Sequence, residues 1–444
     1  MTKKTGLGLG QRIWKFLISM QLALFLLLII AGVSIFGTII PQGEDPGFYQ
    51  QVYGSARADL ILLFNLNDVF HSWWYLALAF LLAASLLACS IDRIKPIWRQ
   101  ATQVVFRQDE ASYSSAPYRE VAASQRGVEE TAQELERLLR ARRYRTFRTE
   151  RDGRVFFSAD RGRFGPFGSL VTHLSLLIII GGAIYGGLTG FKDYADIPEG
   201  ETFLVRPAGF SILVRDFRVD YYDDTQMPKQ YYSDLVVLDG GREVLHKVIH
   251  VNDPLTYKGV TFYQSSYGWV VDGLVNNQGK ETKFTSYGRN LVPIGGGLSL
   301  KTFFFPDFVM DPSGHPGSKS PLPNNPRVVY ALFQGSKVMT YDVAKLGEPV
   351  KITNNLSLTF TGYREYTGLQ IAKDPGLPFI YGGALLMVAG LFLSFYVFPR
   401  RIWAMVLPEG KGARVLLAGA ASRAPVHLTE DMRHLVETLK GGGR

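Results

Sequence analysis

Four stretches of the sequence are apolar over about twenty residues and contain almost no charge. They extend roughly over residues 16–40, 72–91, 167–188 and 378–398. An α-helix rises about 1.5 Å per residue, so twenty residues match a hydrocarbon core about 30 Å thick. The first stretch is longer than the roughly 7–15 apolar residues of a signal peptide, and no clear cleavage site follows it. The pattern therefore predicts four transmembrane helices, the first of which is a retained anchor.

Residues 189–377 show a different pattern, in which apolar and polar positions alternate over short runs. β-branched and aromatic residues are frequent in these runs, and Gly, Pro, Asn and Asp separate them. The clearest runs are FSILVRDFRVDYY, YYSDLVVLD, REVLHKVIHV, GVTFYQSSYG, RVVYALFQG and LSLTFTGY. Because no helical pattern lies between them, we expect a large all-β domain, built as a sandwich or an open barrel.

A smaller, mixed pattern occupies residues 92–165. A helical pattern extends from Val128 to Arg142, and a hairpin pattern follows, in which YRTFRTE and VFFSAD flank the turn RDGR. This segment predicts a small α+β module. The chain is thus expected to comprise a two-helix membrane region (1–91), the module (92–165), a third transmembrane helix (166–188), the β domain (189–377), a fourth transmembrane helix (378–398) and a tail (399–444).

The net charge of +9 is distributed unevenly between these segments. The residues before the first apolar stretch carry +4, the module carries +5 and the tail carries +4, whereas 41–71 carries −3 and 189–377 carries −1. By the positive-inside rule, both termini and the module are expected in the cytoplasm, and the β domain is expected outside. We interpret the basic charge as an orientation signal in an integral membrane protein rather than as a surface for nucleic acid.

The composition limits the chemistry that the chain can perform alone. Its one cysteine, Cys89, excludes an internal disulfide, a CxxC metal or redox motif and a CxxCH attachment site for c-type haem. Cys89 lies near the cytoplasmic end of the second apolar stretch, where it is interpreted as a small apolar residue or as a redox-active thiol. No nucleophile or acid–base pair stands out, so we expect no catalysis by this chain alone.

One histidine, His173, lies within an apolar stretch, about seven residues from its start. That position is about 10 Å below the cytoplasmic boundary, where an ionisable residue is costly and is by default a functional candidate. A neutral ring buried without a partner costs about 1–3 kcal/mol. Ser169, one turn earlier on the same face, is a candidate acceptor for one ring nitrogen. Residue chemistry alone leaves a metal ligand and a hydrogen-bonded packing residue equally open.

The same helix has a glycine face. Gly182 and Gly186 lie nearly opposite His173 in the spacing G-x-x-x-G, which lets helices approach closely. We expect a neighbouring helix on that face and expect the imidazole to face an apolar cleft flanked by Leu177 and Ile180.

The other histidines have simpler interpretations. His71 precedes Trp73, Trp74 and Tyr75 at the external end of the second apolar stretch, which is typical of an interfacial aromatic belt. His246 and His250 are four residues apart on a predicted strand, so their rings are about 13 Å apart and cannot share one metal ion. The remaining histidines are expected to be solvated; these are His315, His427 and His434.

Several motifs together resemble the ResB/CcsB family, the membrane proteins of system II cytochrome c biogenesis. The most specific is VNDPLTYKGVTFYQSSYG at 251–268, and the order of three spans, a β domain and one span is similar. Weaker matches are GTIIPQ at 37–42, HSWW at 71–74, THLSLLIIIGGAIYG at 172–186 and RRIW at 400–403. One position departs from the family: a histidine often precedes the arginine pair after the last span, whereas Phe398 and Pro399 stand there in this chain.

The resemblance implies a function and partners. Such proteins work with a CcsA/ResC-like membrane protein that carries a tryptophan-rich loop, and together they bind and export haem b and present it to apocytochrome c. The chain would then be a subunit of a cytochrome c haem lyase complex in a bacterial inner membrane, with membrane lipid around it and thiol-reducing proteins as further partners. The haem would be transported and bound only transiently.

The resemblance also implies roles for individual residues. His173 matches a haem-ligating transmembrane histidine, and His71 would make a second haem contact or a surface for the partner's loop. Cys89 would help to keep haem or an apocytochrome reduced. For one group of motif residues, core packing explains most of the side chains, and an apolar surface for the partner or the apocytochrome would form if the motif faces outward; these are Tyr257, Phe262, Tyr263, Gln264 and Tyr267.

Two other classes of function fit the residues. One is a membrane-anchored scaffold or receptor whose β domain binds a protein without haem. The other is a transporter in which His173 relays protons. Haem in the purified protein distinguishes the first interpretation from both.

Overall fold

The computed structural model describes residues 8–223, 227–288, 290–335, 337–353, 355–421 and 425–441. The chain forms two compact units. Residues 1–187 and 376–444 make the first, which we call the membrane unit, and residues 188–375 make the second, which we call the β unit. Within the described residues, the α-helices are α1 (Leu9–Leu17), α2 (Met20–Ile39), α3 (Pro46–Tyr53), α4 (Ser55–Leu63), α5 (Trp73–Thr102), α6 (Glu110–Ser114), α7 (Val128–Ala141), α8 (Phe167–Thr189), α9 (Leu377–Tyr396) and α10 (Pro425–Gly441).

The strands fall into both units. Those that precede or follow the β unit in the chain are β1 (Tyr118–Ser124), β2 (Arg145–Arg151), β3 (Arg154–Arg161), β20 (Arg400–Glu409) and β21 (Gly412–Ala421). Those of the β unit are β4 (Phe191–Pro198), β5 (Thr202–Val205), β6 (Phe210–Tyr221), β7 (Pro228–Asp239), β8 (Arg242–Ile249), β9 (Leu255–Tyr257), β10 (Val260–Asn277), β11 (Lys280–Ser286), β12 (Val292–Gly295), β13 (Leu298–Phe305), β14 (Phe308–Met310), β15 (Pro316–Ser318), β16 (Arg327–Gln334), β17 (Lys337–Ala344), β18 (Pro349–Thr353) and β19 (Leu356–Lys373).

Four helices, α2, α5, α8 and α9, are long and apolar enough to cross a membrane, which confirms the four predicted spans. α5 continues beyond its apolar part to Thr102, through Pro96. α8 contacts α2 and α5 on one side through a cluster of aliphatic side chains. The buried members of this cluster are Leu22, Leu26, Leu82 and Leu86, and the partly buried members on α8 are Leu176, Leu177 and Ile180.

The glycine face of α8 contacts α9, as the sequence predicts. Gly376, which precedes α9, and Gly383 and Gly390 within α9 are seven residues apart. Each lies against the backbone or a side chain of α8. A methyl group added at Gly383 would lie 2.6 Å from Ile179 Cγ1, and one at Gly390 would lie 2.6 Å from Thr172 Oγ1. On α8 itself, a methyl group at Gly182 would lie 2.8 Å from Phe379 Cβ. The absence of side chains is therefore what allows these two helices to approach each other.

The α+β module is one antiparallel sheet in the order β1-β21-β20-β3-β2, with α7 and α10 on one face. The sequence predicts the module over 92–165 alone and treats 399–444 as a tail, because the tail shows no period-two pattern. In the structure β20 pairs with β3 and β21 pairs with β1. β20 is buried on both faces: Ile402 and Ala404 face the helices, and Trp403 and Met405 face the segment around α6. A strand buried on both faces is continuously apolar, so alternation cannot reveal it.

The β unit contains two hydrophobic cores instead of one sandwich. The long strands β10 and β19 pair along their whole length and belong to both cores. At one end, the sheet β5-β6-β7-β8 covers them and buries Phe210, Ile212 and Phe262. At the other end, the sheet β12-β13-β16-β17 covers them and buries Leu300 and Phe360. The large sheet-rich region that the sequence predicts is confirmed. Instead of one sandwich, it has two packed layers of sheet, one at each end of the shared strands β10 and β19.

Candidate functional site

His173 lies half-buried at the contact between α8 and α5. Its Nδ1 is 3.3 Å from the Oγ of Ser90, and the Ser90 hydroxyl also lies 2.8 Å from the carbonyl oxygen of Leu86. A serine hydroxyl has one hydrogen, which Ser90 donates to Leu86. The oxygen of Ser90 can then only accept a hydrogen from His173 Nδ1. This arrangement favours the Nδ1–H tautomer, in which Nε2 carries a lone pair.

The partner of the imidazole is therefore different from the residue that the sequence indicated. Ser169 Oγ donates to the carbonyl of Pro166 at 3.1 Å. Ser90 is 83 residues away in the chain and could not be found from helical spacing on α8. Among the described residues, nothing makes a hydrogen bond to His173 Nε2. A neutral imidazole with one free nitrogen and a hydrogen-bonded second nitrogen is the donor that a haem iron takes, so the residues present fit that group.

Two adjoining cavities lie where α5 and α9 end and α8 begins. The first, which we call the helix-end cavity, has a volume of about 390 Å³ and includes Arg93, Gln100, Ser169 and Pro399 among its lining residues. Arg93 is three residues from Ser90 along α5, and Ser169 is four residues from His173 along α8. The cavity therefore begins about one helical turn from the imidazole of His173. The guanidinium group of Arg93 lines it at this distance.

The second, which we call the arginine cavity, has a volume of about 320 Å³. It shares Gln100 and Pro399 with the helix-end cavity. Its lining is otherwise dominated by charge and consists of Asp160, Arg161, Arg163, Arg400, Arg401, Ala420 and Ala421. In the sequence these arginines indicate only orientation, because the two segments that bring them together are far apart in the chain.

His71 lies at the opposite end of α8 from His173. Its Nδ1 is 2.7 Å from Asp68 Oδ1, and its Nε2 would be 3.5 Å from a methyl group at Gly187. Gly187 and His173 are fourteen residues apart on one helix, a rise of about 21 Å. The two histidines therefore cannot bind the same iron. Next to His71, Trp73 is exposed, as a belt residue would be.

Cys89 precedes Ser90 on α5 and is partly buried. Its Sγ lies 3.9 Å from the carbonyl oxygen of Leu17, at the end of α1. This contact accounts for the thiol as a small packing residue. The position also puts it on the same turn of α5 as the partner of His173.

The motif at 251–268 forms a hairpin in the β unit. β9 and β10 are joined by Lys258 and Gly259, which both have positive φ and so suit a tight two-residue turn. Along β10 the side chains alternate: Phe262 is fully buried, Tyr263 is 41% exposed and Gln264 is 8% exposed. Phe262 and Gln264 therefore cannot belong to the aromatic surface that the sequence indicated.

Gln264 instead makes a buried polar network. Its Oε1 accepts hydrogen bonds from Ser233 Oγ at 2.5 Å and Thr367 Oγ1 at 3.0 Å, and its Nε2 donates to the carbonyl of Ser266 at 2.9 Å. Tyr257 donates to Asp239 at 2.9 Å. Because their polar groups are used internally, these motif residues hold the hairpin in the core.

Tyr263 is the member of the motif that remains available to a partner. It pairs across the sheet with Gln370 of β19, which in turn pairs with Tyr194 of β4. Tyr194 is also 41% exposed. Side chains at paired positions lie on the same face of a sheet, so the two tyrosines belong to one outward face. Tyr267, which packs between Phe217 and Tyr231, is half-buried.

The strand histidines have separate acidic partners. His246 Nε2 lies 2.5 Å from Asp234 Oδ1 on the neighbouring strand, and His250 Nε2 lies 3.8 Å from Asp253 Oδ2. In the described part of the chain, no group of three or more His, Cys, Asp or Glu residues is placed to hold a metal ion.

A third cavity, of about 390 Å³, lies in the β unit between carboxylates and aromatic rings. Glu199, Glu365, Arg215, Arg364 and Trp269 line it. Burial, together with the neighbouring carboxylates of Glu199 and Asp216, raises the pKa of Glu365 to about 7. Burial and Asp216 also raise the pKa of Glu199.

The chain is similar to known proteins over nearly its whole length. The family model described as ResB-like family matches residues 20–433. The cytochrome c biogenesis protein CcsB of Trichormus variabilis is 31% identical over 450 residues, which cover 95% of this chain and 91% of that protein. The protein of the same name from Synechococcus sp. (strain JA-3-3Ab) is 33% identical over 451 residues, which cover 95% of this chain and 88% of that protein.

A solved structure, that of the cytochrome c heme lyase CcmF, aligns with 84% of this chain and 45% of its own chain. The identity is 11% and the TM-score is 0.26, so this likeness transfers nothing to the present fold.

Proposed function

Because the chain belongs to the ResB-like family, we propose that it acts in cytochrome c biogenesis as the haem-handling subunit of a membrane complex. In this proposal it binds haem b transiently and, with a CcsA/ResC-like partner, exports it and presents it to apocytochrome c. The observation that carries the haem assignment is His173 itself, an imidazole inside the span with its Nδ1 hydrogen bonded to Ser90 and its Nε2 free.

His173 would hold the haem iron through Nε2. Ser90 would hold the ring in the required tautomer and orientation, as hydrogen-bond acceptors behind ligating histidines do. Arg93, at the helix-end cavity one turn away, would pair with a carboxylate of the porphyrin. When bound, haem supplies the iron and the vinyl groups to which the thiols of an apocytochrome add. The chain contributes ligation, orientation and shielding, and it needs a partner for the attachment reaction.

His71 is proposed as a contact for haem or for the partner at the other end of the membrane unit. The 21 Å rise that separates its level from that of His173 suits two successive haem positions better than a single site with two ligands. The charge distribution supports a placement in a bacterial inner membrane with both termini and the α+β module in the cytoplasm and the β unit outside. The outward tyrosines, Tyr263 and Tyr194, are proposed as the contact for the partner or the apocytochrome.

The test is the absorption spectrum of the complex purified in a mild detergent from cells replete with haem. The wild type is expected to show a Soret band, and His173→Ala is expected to lose most of it and to regain it when free imidazole is added. Leu174→Ala, which shortens an exposed side chain on the same helix, is the matched control. A colourless wild-type complex would favour the scaffold interpretation, and an unchanged spectrum in His173→Ala would remove the ligand assignment.

A further inference from the structure

The arginine cavity joins two segments that are far apart in the chain. Arg161 ends β3 and Arg400 begins β20, and these two residues are direct partners in the antiparallel register. Like charges directly opposite each other on neighbouring strands destabilise a sheet. Arg163 and Arg401 add two further cations to the same cavity. Four guanidinium groups around one cavity repel one another, and an anion placed between them would relieve this repulsion.

The carboxylates close to this cavity are already paired. Asp160 accepts hydrogen bonds from Arg145, with Nη2 at 2.6 Å and Nε at 3.2 Å. Asp431 accepts from Tyr144 Oη at 2.7 Å and from Arg400 Nη1 at 3.2 Å, and it also pairs with Arg142. These acids therefore cannot also balance the charges of Arg161 and Arg163.

The guanidinium groups retain unused donors. Arg400 Nε is buried and has no hydrogen-bond partner among the described residues. Arg161 uses Nη1 toward the carbonyl of Arg142 at 3.1 Å, and Arg401 uses Nη2 toward carbonyls near the end of α5. Arg163 lies over the ring of Phe164. Since each arginine has five N–H groups, most of the donors around the cavity remain available to a ligand with several acceptor oxygens.

The position of the cavity indicates the source of such a ligand. Arg163 lies four residues before α8, and Pro399 lies three residues after α9. Lipid headgroups occupy this level, just beyond the hydrocarbon core, and basic pockets at the ends of membrane helices bind anionic headgroups. Gln100 is ten residues, about 15 Å, beyond Ser90 on α5, so the arginine cavity lies beyond the level of His173, on the far side of the helix-end cavity that it adjoins.

We propose that the arginine cavity binds the phosphodiester headgroup of an anionic phospholipid. The phosphate oxygens accept hydrogen bonds from the forked donors of Arg161, Arg163 and Arg400, and the negative charge relieves the repulsion between β3 and β20. The lipid thereby fastens the α+β module to the ends of α5, α8 and α9. This inference does not depend on haem.

The experiment uses the full chain, stripped of lipid in a neutral detergent and returned to nanodiscs. Phosphatidylglycerol in a phosphatidylcholine background is expected to raise the midpoint of thermal unfolding, because a ligand that binds the folded state stabilises it. Native mass spectrometry is expected to detect one tightly retained phosphatidylglycerol. The double variant Arg161→Gln/Arg163→Gln is expected to bind this lipid at least about tenfold more weakly, since two charge-assisted donors are lost.

A matched control removes the same charge elsewhere on the module. Arg137→Gln/Arg140→Gln affects exposed arginines of α7 that pair with Glu134 and Glu136, and it is expected to bind the lipid as the wild type does. Unfolding midpoints in lipid-free detergent establish that the variants fold.

Three results would overturn the proposal. Equal stabilisation of the wild type by pure phosphatidylcholine would show that charge is not recognised. Displacement of the lipid by inorganic phosphate at similar concentration would assign the cavity to a free anion. Undiminished lipid retention by Arg161→Gln/Arg163→Gln would place the lipid elsewhere. The first two measurements use only the wild type, so they decide the matter even if the double variant fails to fold.

Discussion

At the scale of single residues, the most informative hydrogen bond is the one behind His173. Ser90 gives its only hydrogen to Leu86 and so receives the hydrogen of His173 Nδ1. The chemical state of the imidazole is thus set by a side chain from another helix.

We expect Ser90→Ala to weaken haem binding about 10–100-fold, the usual effect of losing a hydrogen-bond partner behind a metal ligand. Ser90→Thr, which keeps the hydroxyl, is expected to restore binding. Haem titration of the purified complex, followed at the Soret band, measures the effect. Ser169→Ala is the control, because that hydroxyl donates to Pro166 and does not contact the ring. If Ser169→Ala had the larger effect, the tautomer assignment would be wrong.

Glu365 is expected to make the stability of the β unit depend on pH. The pKa of Glu365 is about 7 in the folded chain and the usual value is 4.5, so the folded state holds a proton that the unfolded chain releases earlier. Stability is therefore expected to fall as the pH rises from about 4.5 to about 7. The other charged groups near Glu365 are the carboxylates of Glu199 and Asp216 and the guanidinium groups of Arg215 and Arg364.

Thermal unfolding of the wild type and of Glu365→Gln, measured from pH 5 to pH 8, tests this prediction. The variant has no proton to lose and is expected to show a smaller decline in midpoint over this range. A decline of the same size in both proteins would mean that other groups cause it.

At the scale of elements, the contact between α8 and α9 depends on glycine. Gly390→Ala is expected to destabilise the membrane unit by about 1–3 kcal/mol, because the new methyl group meets Thr172 and the helices must separate. Gly382→Ala, on the same helix, meets nothing within 4 Å and serves as the control. Unfolding in detergent with increasing denaturant measures both. Equal stability of the two variants would show that the helices adjust without cost.

Helices and strands with a clear hydrophobic pattern were predictable from the sequence. Strands buried on both faces were not. The four spans and the hairpin of β2 and β3 follow from hydropathy and from the turn Asp152–Gly153, which has positive φ at both residues. β20 and β21 lack alternation because both of their faces are covered. The same limit applies to the site. His173 was visible as a polar residue in an apolar helix, whereas Ser90 and the arginine cavity arise from contacts between distant segments.

At the scale of the whole molecule, the segment after Pro399 completes a sheet that begins before the β unit. β20 lies between β3 and β21, so removal of the chain after Pro399 takes away the central strand and α10. We expect this truncation to unfold the α+β module and expose Phe157 and Leu135. Limited proteolysis of the membrane-inserted protein is expected to cut within 118–161 in the truncated chain and to spare this segment in the full chain. Equal protection would show that the N-terminal part folds alone.

The late arrival of β20 also has a consequence for synthesis of the protein. About 240 residues separate the end of β3 from the start of β20. At the usual speed of a ribosome, about 5–20 residues per second, β3 waits about 12–50 s with an unpaired edge. During this interval the incomplete module is expected to expose an unpaired strand edge, which chaperones and proteases can bind. A chain interrupted before β20 would keep this edge of β3 unpaired.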